Sequence, residues 1–241
     1  AQELIKRDLI SPSMNVPAPD IGTSSREMAW IADEYRKMHP ADINGAACVT
    51  GKPPSKNGLV GREEATGRGV QYIVREFFKN PELLKLVKLD DNLSTKTFIL
   101  QGLGNVGYNL SKFLTEEDDL KLIGISEFNG GIFNEDGINV EHAKKYFSKH
   151  KTFEDYPKAT FVKDSSLLLK RQCDILIPAA RENVITEKNA EDISAKLIIE
   201  AANGPVSYRG NQVLNRKKIF VIPDILANAG GVAVSYFEWV K

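Results

Sequence analysis

Short apolar runs alternate with amphipathic stretches along the chain from about residue 60 onward. Five of the runs are β-branched or aliphatic and are bounded by turn-forming residues, which is typical of strands buried on both faces. They are TFILQ (97–101), LKLIGIS (120–126), CDILIP (173–178), AKLIIEA (195–201) and IFVIPD (219–224). This alternation predicts an α/β fold with a doubly wound, mostly parallel sheet covered by helices.

The stretch ahead of the first strand has helical spacing. From Val70 to Phe78, apolar residues recur at i, i+3, i+4, i+7 and i+8, which places them on one face of a helix. Asn80-Pro81 then predicts the end of that helix.

The N-terminal part of the chain has a different character. A Pro-rich VPAPD segment precedes a predicted helix, and Ser24 and Glu27 have the spacing of a capping box at its start. A loop rich in glycine and proline then indicates a join. We therefore expect two domains, residues 1–58 and residues 59–241.

The charge balance argues against a polyanion or a membrane as partner. The chain has 32 Lys+Arg and 32 Asp+Glu, for a formal net charge of +0, so it has no global basic field. No apolar stretch approaches the roughly 18 residues of a membrane span. We expect a soluble protein that binds neither nucleic acid nor membrane.

Cysteine and histidine give no sign of a metal site or a nucleophilic triad. The two cysteines, Cys48 and Cys173, are too far apart in sequence for metal-ligand spacing, and we expect reduced, inert thiols. The three histidines stand outside any HxxxH or His-Asp-Ser context. Chemistry is therefore expected from carboxylates, amides, Arg or Lys.

One glycine-rich segment carries a specific binding signal. Gly102, Gly104 and Gly107 form GxGxxG directly after a predicted strand and at the start of a predicted helix. The first glycine allows a tight turn, the second lets the backbone approach a pyrophosphate, and the third lets helix and strand pack closely. The helix N-terminus favours phosphate. A turn needed only for packing is the alternative.

An acid follows the next predicted strand. Glu127 lies about 20 positions after Gly107, where a carboxylate can accept hydrogen bonds from the adenosine ribose hydroxyls. The same charge repels a 2′-phosphate, so NAD is favoured and NADP is the alternative. A solvated acid at a strand end is the other interpretation.

Seven segments, in order and over nearly the whole chain, give a family resemblance. The chain resembles the hexameric glutamate dehydrogenases of the Glu/Leu/Phe/Val dehydrogenase family. The resemblance implies that residues 59–241 are the Rossmann-type NAD(P)-binding domain and residues 1–58 a remnant of the substrate domain. The segments are NVPAPDIGTSSREMAWIADEY (15–35), CVTGKP (48–53), GREEATGRGV (61–70), QGLGNVG (101–107), CDILIPAA (173–180), EAANGP (200–205) and ILANAGGVAVSYFEWV (225–240).

The resemblance also implies roles toward the substrate. Asp20 resembles the catalytic aspartate that exchanges protons with the amino nitrogen. Arg62 and Ser235 resemble the residues that hold the substrate carboxylates. Val232 would lie against the substrate side chain, and Asn203 between nicotinamide and substrate. From the sequence alone, a turn or N-cap residue is the favoured interpretation of Asp20, and only the resemblance reverses this.

Further residues are implied as coenzyme ligands. Thr66 resembles a donor to the nicotinamide carboxamide, and Asn228 a residue near the substrate and the nicotinamide ribose. Asn105 and Val106 would offer backbone N–H groups to the pyrophosphate. Ala179 is assigned to the coenzyme site on the same ground.

The chain departs from the family pattern in two respects. Gly22 stands where many animal-type members have serine, so one polar contact near the nicotinamide is in doubt. The lysine-bearing, glycine-rich segments that activate the substrate carbonyl have no counterpart in residues 1–14. We therefore expect a fragment that binds dinucleotide but does not turn over glutamate alone.

For the intact enzyme, the resemblance implies reversible oxidative deamination of L-glutamate to 2-oxoglutarate and ammonia in a homohexamer. The mitochondrial matrix is the expected compartment, with the cytoplasm as the alternative. Two other functions remain open. One is another amino-acid dehydrogenase acting on leucine, valine or phenylalanine, and the other is a noncatalytic dinucleotide-binding module.

Overall fold

The computed structural model describes all residues from 1 to 241, which form two compact units. One unit comprises Ala1–Ala65 together with Gly231–Lys241, and the other comprises Thr66–Gly230. The units differ from the expected division at residues 58 and 59, because the C-terminal residues pack with the N-terminal ones. No helix is long and apolar enough to cross a membrane.

Ten α-helices and seven strands make up the regular structure. The strands are β1 (Thr97–Gln101), β2 (Lys121–Glu127), β3 (Gly130–Phe133), β4 (Thr160–Val162), β5 (Ile175–Pro178), β6 (Leu197–Ile199) and β7 (Phe220–Ile222). The helices are α1 (Gln2–Lys6), α2 (Ser25–Met38), α3 (Ala65–Phe78), α4 (Pro81–Val87), α5 (Asn105–Glu116), α6 (Val140–His150), α7 (Ser166–Leu169), α8 (Tyr208–Arg216), α9 (Asp224–Ala227) and α10 (Gly230–Val240).

All seven strands form one sheet in the order β4-β3-β2-β1-β5-β6-β7. β2, β1, β5, β6 and β7 run parallel, whereas β3 is antiparallel to both β2 and β4. The predicted α/β class and mostly parallel sheet are thus confirmed. β3 and β4 were not predicted, because β3 starts with two glycines and β4 has three residues, so neither shows an apolar run.

Burial on both faces of the sheet explains why the sequences of the parallel strands are unbroken apolar runs. The three central residues of β1 are fully buried, with Phe98 and Leu100 in one apolar cluster and Ile99 in another. Successive side chains of a strand point to opposite faces, so both faces of this sheet are covered. The helix predicted over Val70–Phe78 is part of α3, which ends at Phe78. Asn80 then caps the next helix, α4, and Pro81 is its first residue.

The smaller unit is built around α2. Ser24 caps this helix in the predicted capping box, with the Ser24 hydroxyl accepting from Arg26 N and the Glu27 carboxylate accepting from Ser24 N at 2.7 Å. The Ser24 hydroxyl and the Arg26 side chain also donate to the Glu27 carboxylate, and these bonds lower the pKa of Glu27 to about 2. The apolar side of α2 joins a core that comprises Ile5, Ile10, Met28, Ala32, Tyr35, Cys48 and Val49.

Candidate functional site

The glycine-rich turn lies where the strand order reverses direction. β1 is flanked by β2 on one side and β5 on the other, and the turn leads from β1 into α5. Open α/β sheets bind ligands at such a switch point, outside the carboxyl ends of the strands. At Gly102 the backbone has φ +91, and a Cβ there would lie 2.6 Å from the Ala180 Cβ. This position therefore requires glycine for conformation and for space.

The rest of the turn forms a cradle above the start of α5. A Cβ on Gly107 would lie 1.9 Å from the Gly102 carbonyl oxygen, so α5 can pack this closely only with glycine there. Gly104 is the N-cap residue of α5 and has no side chain with which to cap the helix. A Cβ on Gly104 would project into open space, with nothing within 4 Å. A helix start whose N-cap glycine borders open space fits a pyrophosphate.

The predicted ribose ligand lies against the same turn. Glu127 ends β2, and its Oε1 accepts a hydrogen bond from Leu103 N at 2.5 Å. The Ser165 hydroxyl donates to the Glu127 carbonyl oxygen at 2.6 Å, which fixes the strand end. A carboxylate accepts several hydrogen bonds, so Glu127 can hold the turn and still accept from ribose hydroxyls.

The other predicted coenzyme residues of this unit lie at element ends. Asn105 and Val106 are the first two residues of α5, as the motif predicts. Ala179 directly follows β5, and its N–H donates to the Gln101 carbonyl oxygen at 2.8 Å. Thr66 is half-buried and is the second residue of α3.

Two predicted amide residues come together after β6 and β7. The Asn228 side chain donates to Asn203 Oδ1 at 2.7 Å, although the two residues belong to different loops. The Asn203 loop is also held by the Asp224 carboxylate, which accepts from Gly204 N at 2.8 Å. The pairing supports one shared site for both residues.

Glu200 organises these two loops and was not singled out from the sequence. It follows β6, is 7% exposed, and accepts from Val206 N at 3.1 Å and from Asp224 N at 2.9 Å. Burial raises the pKa of Glu200, while these two backbone bonds oppose the shift. An acid directly after a buried strand was the signal that the sequence offered.

In the smaller unit, Asp20 lies in an exposed turn after Pro19. Its Oδ1 accepts from Ile21 N at 2.7 Å, and its own N–H donates to the Thr23 hydroxyl at 2.8 Å. The turn fixes the direction of the side chain and leaves the carboxylate accessible. A Cβ on Gly51 would lie 2.4 Å from Pro19 Cδ, so the CVTGKP loop packs directly behind this turn.

The residues expected to hold substrate carboxylates are in the same unit. Arg62 lies in the turn before α3, and its Nε is buried with no hydrogen-bond partner. Burial lowers the pKa of Arg62, and the carboxylate of Glu238 opposes that shift. Ser235 and Val232 are three positions apart on α10, and Val232 is exposed. An unpartnered guanidinium N–H is a ready donor to an anion.

A buried ion pair joins the CVTGKP loop to α10. Lys52 Nζ lies 2.7 Å from Glu238 Oε1, with the two side chains 1% and 0% exposed. The same carboxylate accepts from Gly51 N at 2.9 Å and from Lys52 N at 3.2 Å. Neither residue was singled out from the sequence, since a lysine in a loop and a glutamate in a helix usually face solvent.

Histidine, cysteine and carboxylate side chains form no cluster of three or more that could hold a metal ion. Both cysteines are free and buried.

Comparison with known proteins gives consistent matches over the whole chain. The sequence model described as Glutamate/Leucine/Phenylalanine/Valine dehydrogenase matches residues 58–241, and the dimerisation-domain model of the same family matches residues 1–37. Among curated proteins, the mitochondrial glutamate dehydrogenase of Dictyostelium discoideum is 49% identical over 238 residues, which is 99% of this chain and 47% of that protein. A probable glutamate dehydrogenase of Sinorhizobium fredii is 42% identical over 225 residues, 92% of this chain and 50% of that protein.

Solved structures agree with the sequence matches. The hetero-hexameric glutamate dehydrogenase of Thermus thermophilus has a TM-score of 0.84 at 27% identity and the enzyme of Peptoniphilus asaccharolyticus 0.74 at 36%, each covering 99% of this chain and 53% of the other. The chain thus spans about half the length of the relatives it matches. On these matches, the chain belongs to the glutamate/leucine/phenylalanine/valine dehydrogenase family.

Proposed function

We propose that this chain is the coenzyme-binding part of a glutamate dehydrogenase. The whole protein would catalyse the reversible oxidative deamination of L-glutamate to 2-oxoglutarate and ammonia. The observation that carries the proposal is the glycine-rich turn at the switch point, with open space at Gly104 and Glu127 bonded to Leu103 N. The relatives named as glutamate dehydrogenases support the choice of substrate.

NAD is the proposed coenzyme, held along the carboxyl ends of the strands. The start of α5 at Asn105 and Val106 would take the pyrophosphate, and Glu127 the adenosine ribose. Thr66, Ala179 and the other predicted residues of this edge would contact the rest of the coenzyme. When bound, NAD supplies the acceptor for a hydride from the α-carbon of L-glutamate. A carboxylate at position 127 disfavours a 2′-phosphate, which supports NAD over NADP.

The smaller unit would bind and process the amino acid. Asp20 is accessible and fixed in direction, so it can exchange a proton with the amino nitrogen. Arg62, with its unpartnered Nε, and the Ser235 hydroxyl would hold substrate carboxylates. Val232 would contact the substrate side chain. The amide pair of Asn203 and Asn228 would orient the reacting groups.

The family model also covers dehydrogenases of leucine, phenylalanine and valine. A panel of these amino acids on the complete enzyme distinguishes them from glutamate. We propose a homohexamer; the match to a dimerisation-domain model supports association between subunits, and the hetero-hexameric Thermus thermophilus relative supports an assembly of six. The name of the Dictyostelium relative supports the mitochondrial matrix as compartment.

Calorimetric titration of the purified chain with NADH and, separately, NADPH tests the coenzyme site. We expect saturable NADH binding that weakens in Glu127→Ala. Glu135→Ala is the matched control, since Glu135 is an exposed acid in the turn after β3, toward the other end of β2 from Glu127, and has no assigned role. No binding of either dinucleotide by a folded chain would refute the proposal and leave a turn needed only for packing.

The complete enzyme tests the catalytic assignment. Asp20→Asn should reduce turnover severely and leave NADH binding nearly intact, because the amide cannot exchange a proton at neutral pH. An unchanged turnover number would remove Asp20 from its proposed role.

A further inference from the structure

Leu103, the residue between the first two glycines of the turn, has both of its backbone groups held by charged side chains. It is 1% exposed. Its N–H donates to Glu127 Oε1 at 2.5 Å, and its carbonyl oxygen accepts from Lys144 Nζ at 2.7 Å. Glu127 ends β2 and Lys144 lies on α6. A carboxylate and an ammonium from two different elements therefore both bond to the backbone of one residue of the turn.

Lys144 is half-buried, and its ammonium contacts the turn directly. Its ammonium lies 5.4 Å from the centre of the Tyr108 ring on α5, within the range of a cation–π contact. Partial burial lowers the pKa of Lys144, with Lys151 adding to that shift and the carboxylate of Glu127 opposing it. The effect of Glu127 on this pKa indicates an electrostatic interaction between Glu127 and Lys144, although the two form no direct ion pair.

This arrangement bears on the 2′-position of the adenosine ribose, provided that the proposed coenzyme function is correct. In that function Glu127 accepts from the ribose hydroxyls. A 2′-phosphate at the same place would meet the carboxylate first and be repelled. It would also lie close to an ammonium that has three donors and uses one of them on Leu103.

We propose that Lys144 is a second specificity-determining residue, whose ammonium donates to a 2′-phosphate once the charge of Glu127 is removed. In the unsubstituted chain Glu127 masks this cation and NAD is preferred. Removal of the Glu127 charge exposes it, and NADPH gains a charge-assisted hydrogen bond that NADH cannot make. The gain must therefore depend on Lys144.

A purely structural role for Lys144 gives a different result. If the ammonium only holds the Leu103 carbonyl, its loss weakens NADH and NADPH binding by the same factor, and the ratio of the two dissociation constants stays constant. If it also binds the phosphate, its loss in the Glu127→Gln background raises the dissociation constant of NADPH by a larger factor than that of NADH. The ratio separates the two roles.

The test is calorimetric titration of the folded chain with NADH and NADPH in four forms: unsubstituted, Glu127→Gln, Lys144→Met and the double variant. We expect Glu127→Gln to bind NADPH at least about tenfold more tightly, and the double variant to lose most of that gain. Glu127→Gln combined with Lys144→Arg should keep it, because the charge remains.

Lys145→Met in the Glu127→Gln background is the matched control. Lys145 is the next residue on α6 and is exposed, so the NADPH gain should persist. Equal NADPH affinity with and without Lys144 would overturn the inference while NADH binding upholds the coenzyme site. Absence of NADH binding by the unsubstituted chain would overturn the coenzyme function and this inference together.

Discussion

Loss of the Lys52 ammonium should destabilise the smaller unit far more than loss of any surface lysine in it. Lys52 and Glu238 are completely enclosed and lie 2.7 Å apart. The Lys52 ammonium also donates to the Val49 carbonyl oxygen at 2.5 Å. Lys52→Met preserves most of the side-chain volume and removes only the charge and its donors, so the substitution isolates the electrostatic contribution.

The magnitude follows from what remains buried. Removal of one partner of a buried ion pair typically costs about 3–5 kcal/mol, because the other charge is left uncompensated. The Glu238 carboxylate keeps its bonds from Gly51 N and Lys52 N, which partly compensate it. We therefore expect the lower end of the range, about 3 kcal/mol.

A double-mutant cycle checks the origin of this cost. Lys52→Met with Glu238→Met removes both charges of the pair, so neither partner is left without the other. It still leaves the N–H groups of Gly51 and Lys52 without acceptors, at about 1–3 kcal/mol each. Because both charges of the pair are absent, the loss of unfolding free energy in the double variant should be smaller than the sum of the losses in the two single variants, by at least about 2 kcal/mol.

Urea unfolding monitored by tryptophan fluorescence is the appropriate assay. The chain has two tryptophans, Trp30 and Trp239, and both lie in the smaller unit. Trp239 follows Glu238 directly, and its indole N–H donates to the Pro12 carbonyl oxygen at 2.8 Å. The signal therefore reports unfolding of the unit that holds the ion pair.

Lys56→Met is the matched control in the same unit. Lys56 pairs with Asp33 at 3.0 Å, but the two side chains are 44% and 40% exposed. Exposed pairs contribute about 0–1 kcal/mol, so this variant should unfold near the unsubstituted midpoint. If Lys52→Met and Lys56→Met are equally stable, burial of the Lys52 pair does not carry the stability assigned to it.

Two further predictions concern the turn and the thiols. Gly107→Ala should lower the thermal unfolding midpoint and abolish NADH binding, since its Cβ would lie 1.9 Å from the Gly102 carbonyl oxygen. Gly104→Ala should leave the unfolding midpoint unchanged and weaken only NADH binding, because its Cβ would project into the space proposed for the pyrophosphate. An unchanged NADH affinity of Gly104→Ala in calorimetry would contradict that placement of the pyrophosphate. Burial raises the pKa of Cys48 to about 11 and of Cys173 to about 12, so neither thiol should react with a disulfide reagent at pH 8 until urea is added. The neutral thiols are favoured in the folded state, so their contribution to stability should be complete below the ordinary thiol pKa of 9.0 and be lost as the pH rises toward these values. Rapid labelling of the native chain would contradict this burial.

Local sequence patterns predicted the parts of the fold that local physics determines. The five parallel strands are continuous apolar runs because both sheet faces are covered, and α3 shows its buried stripe. β3 was missed because Gly130 and Gly131 carry no side chains to create a pattern. A Cβ on Gly131 would lie 2.4 Å from Leu168 Cδ1, so packing demands the glycine that hides the strand.

The same distinction holds for the candidate site. Gly102, Gly107 and Glu127 could be predicted because their constraints lie within one strand-turn-helix unit and the strand after it. Lys144 could not, since it meets Leu103 from a helix 41 positions away. The packing of α10 against the N-terminal residues could not be predicted either, because Glu238 accepts from Gly51 N, a residue 187 positions away in sequence. Such contacts leave no periodicity in the sequence.

Three carboxylates, of which the sequence predicted only the first, follow one physical rule. Glu127, Glu200 and Glu238 each lie in or directly after a regular element, and each carboxylate accepts from backbone N–H groups of a turn or loop. Glycine-rich and turn segments such as 101–107 and 48–53 have few side chains with which to fix their own conformation. A charged acceptor makes a hydrogen bond roughly twice as strong as a neutral one, so a single acid on a rigid element can position such a loop. The loops that we propose as coenzyme and substrate contacts are thus held by carboxylates whose own positions are set by the sheet and by α10.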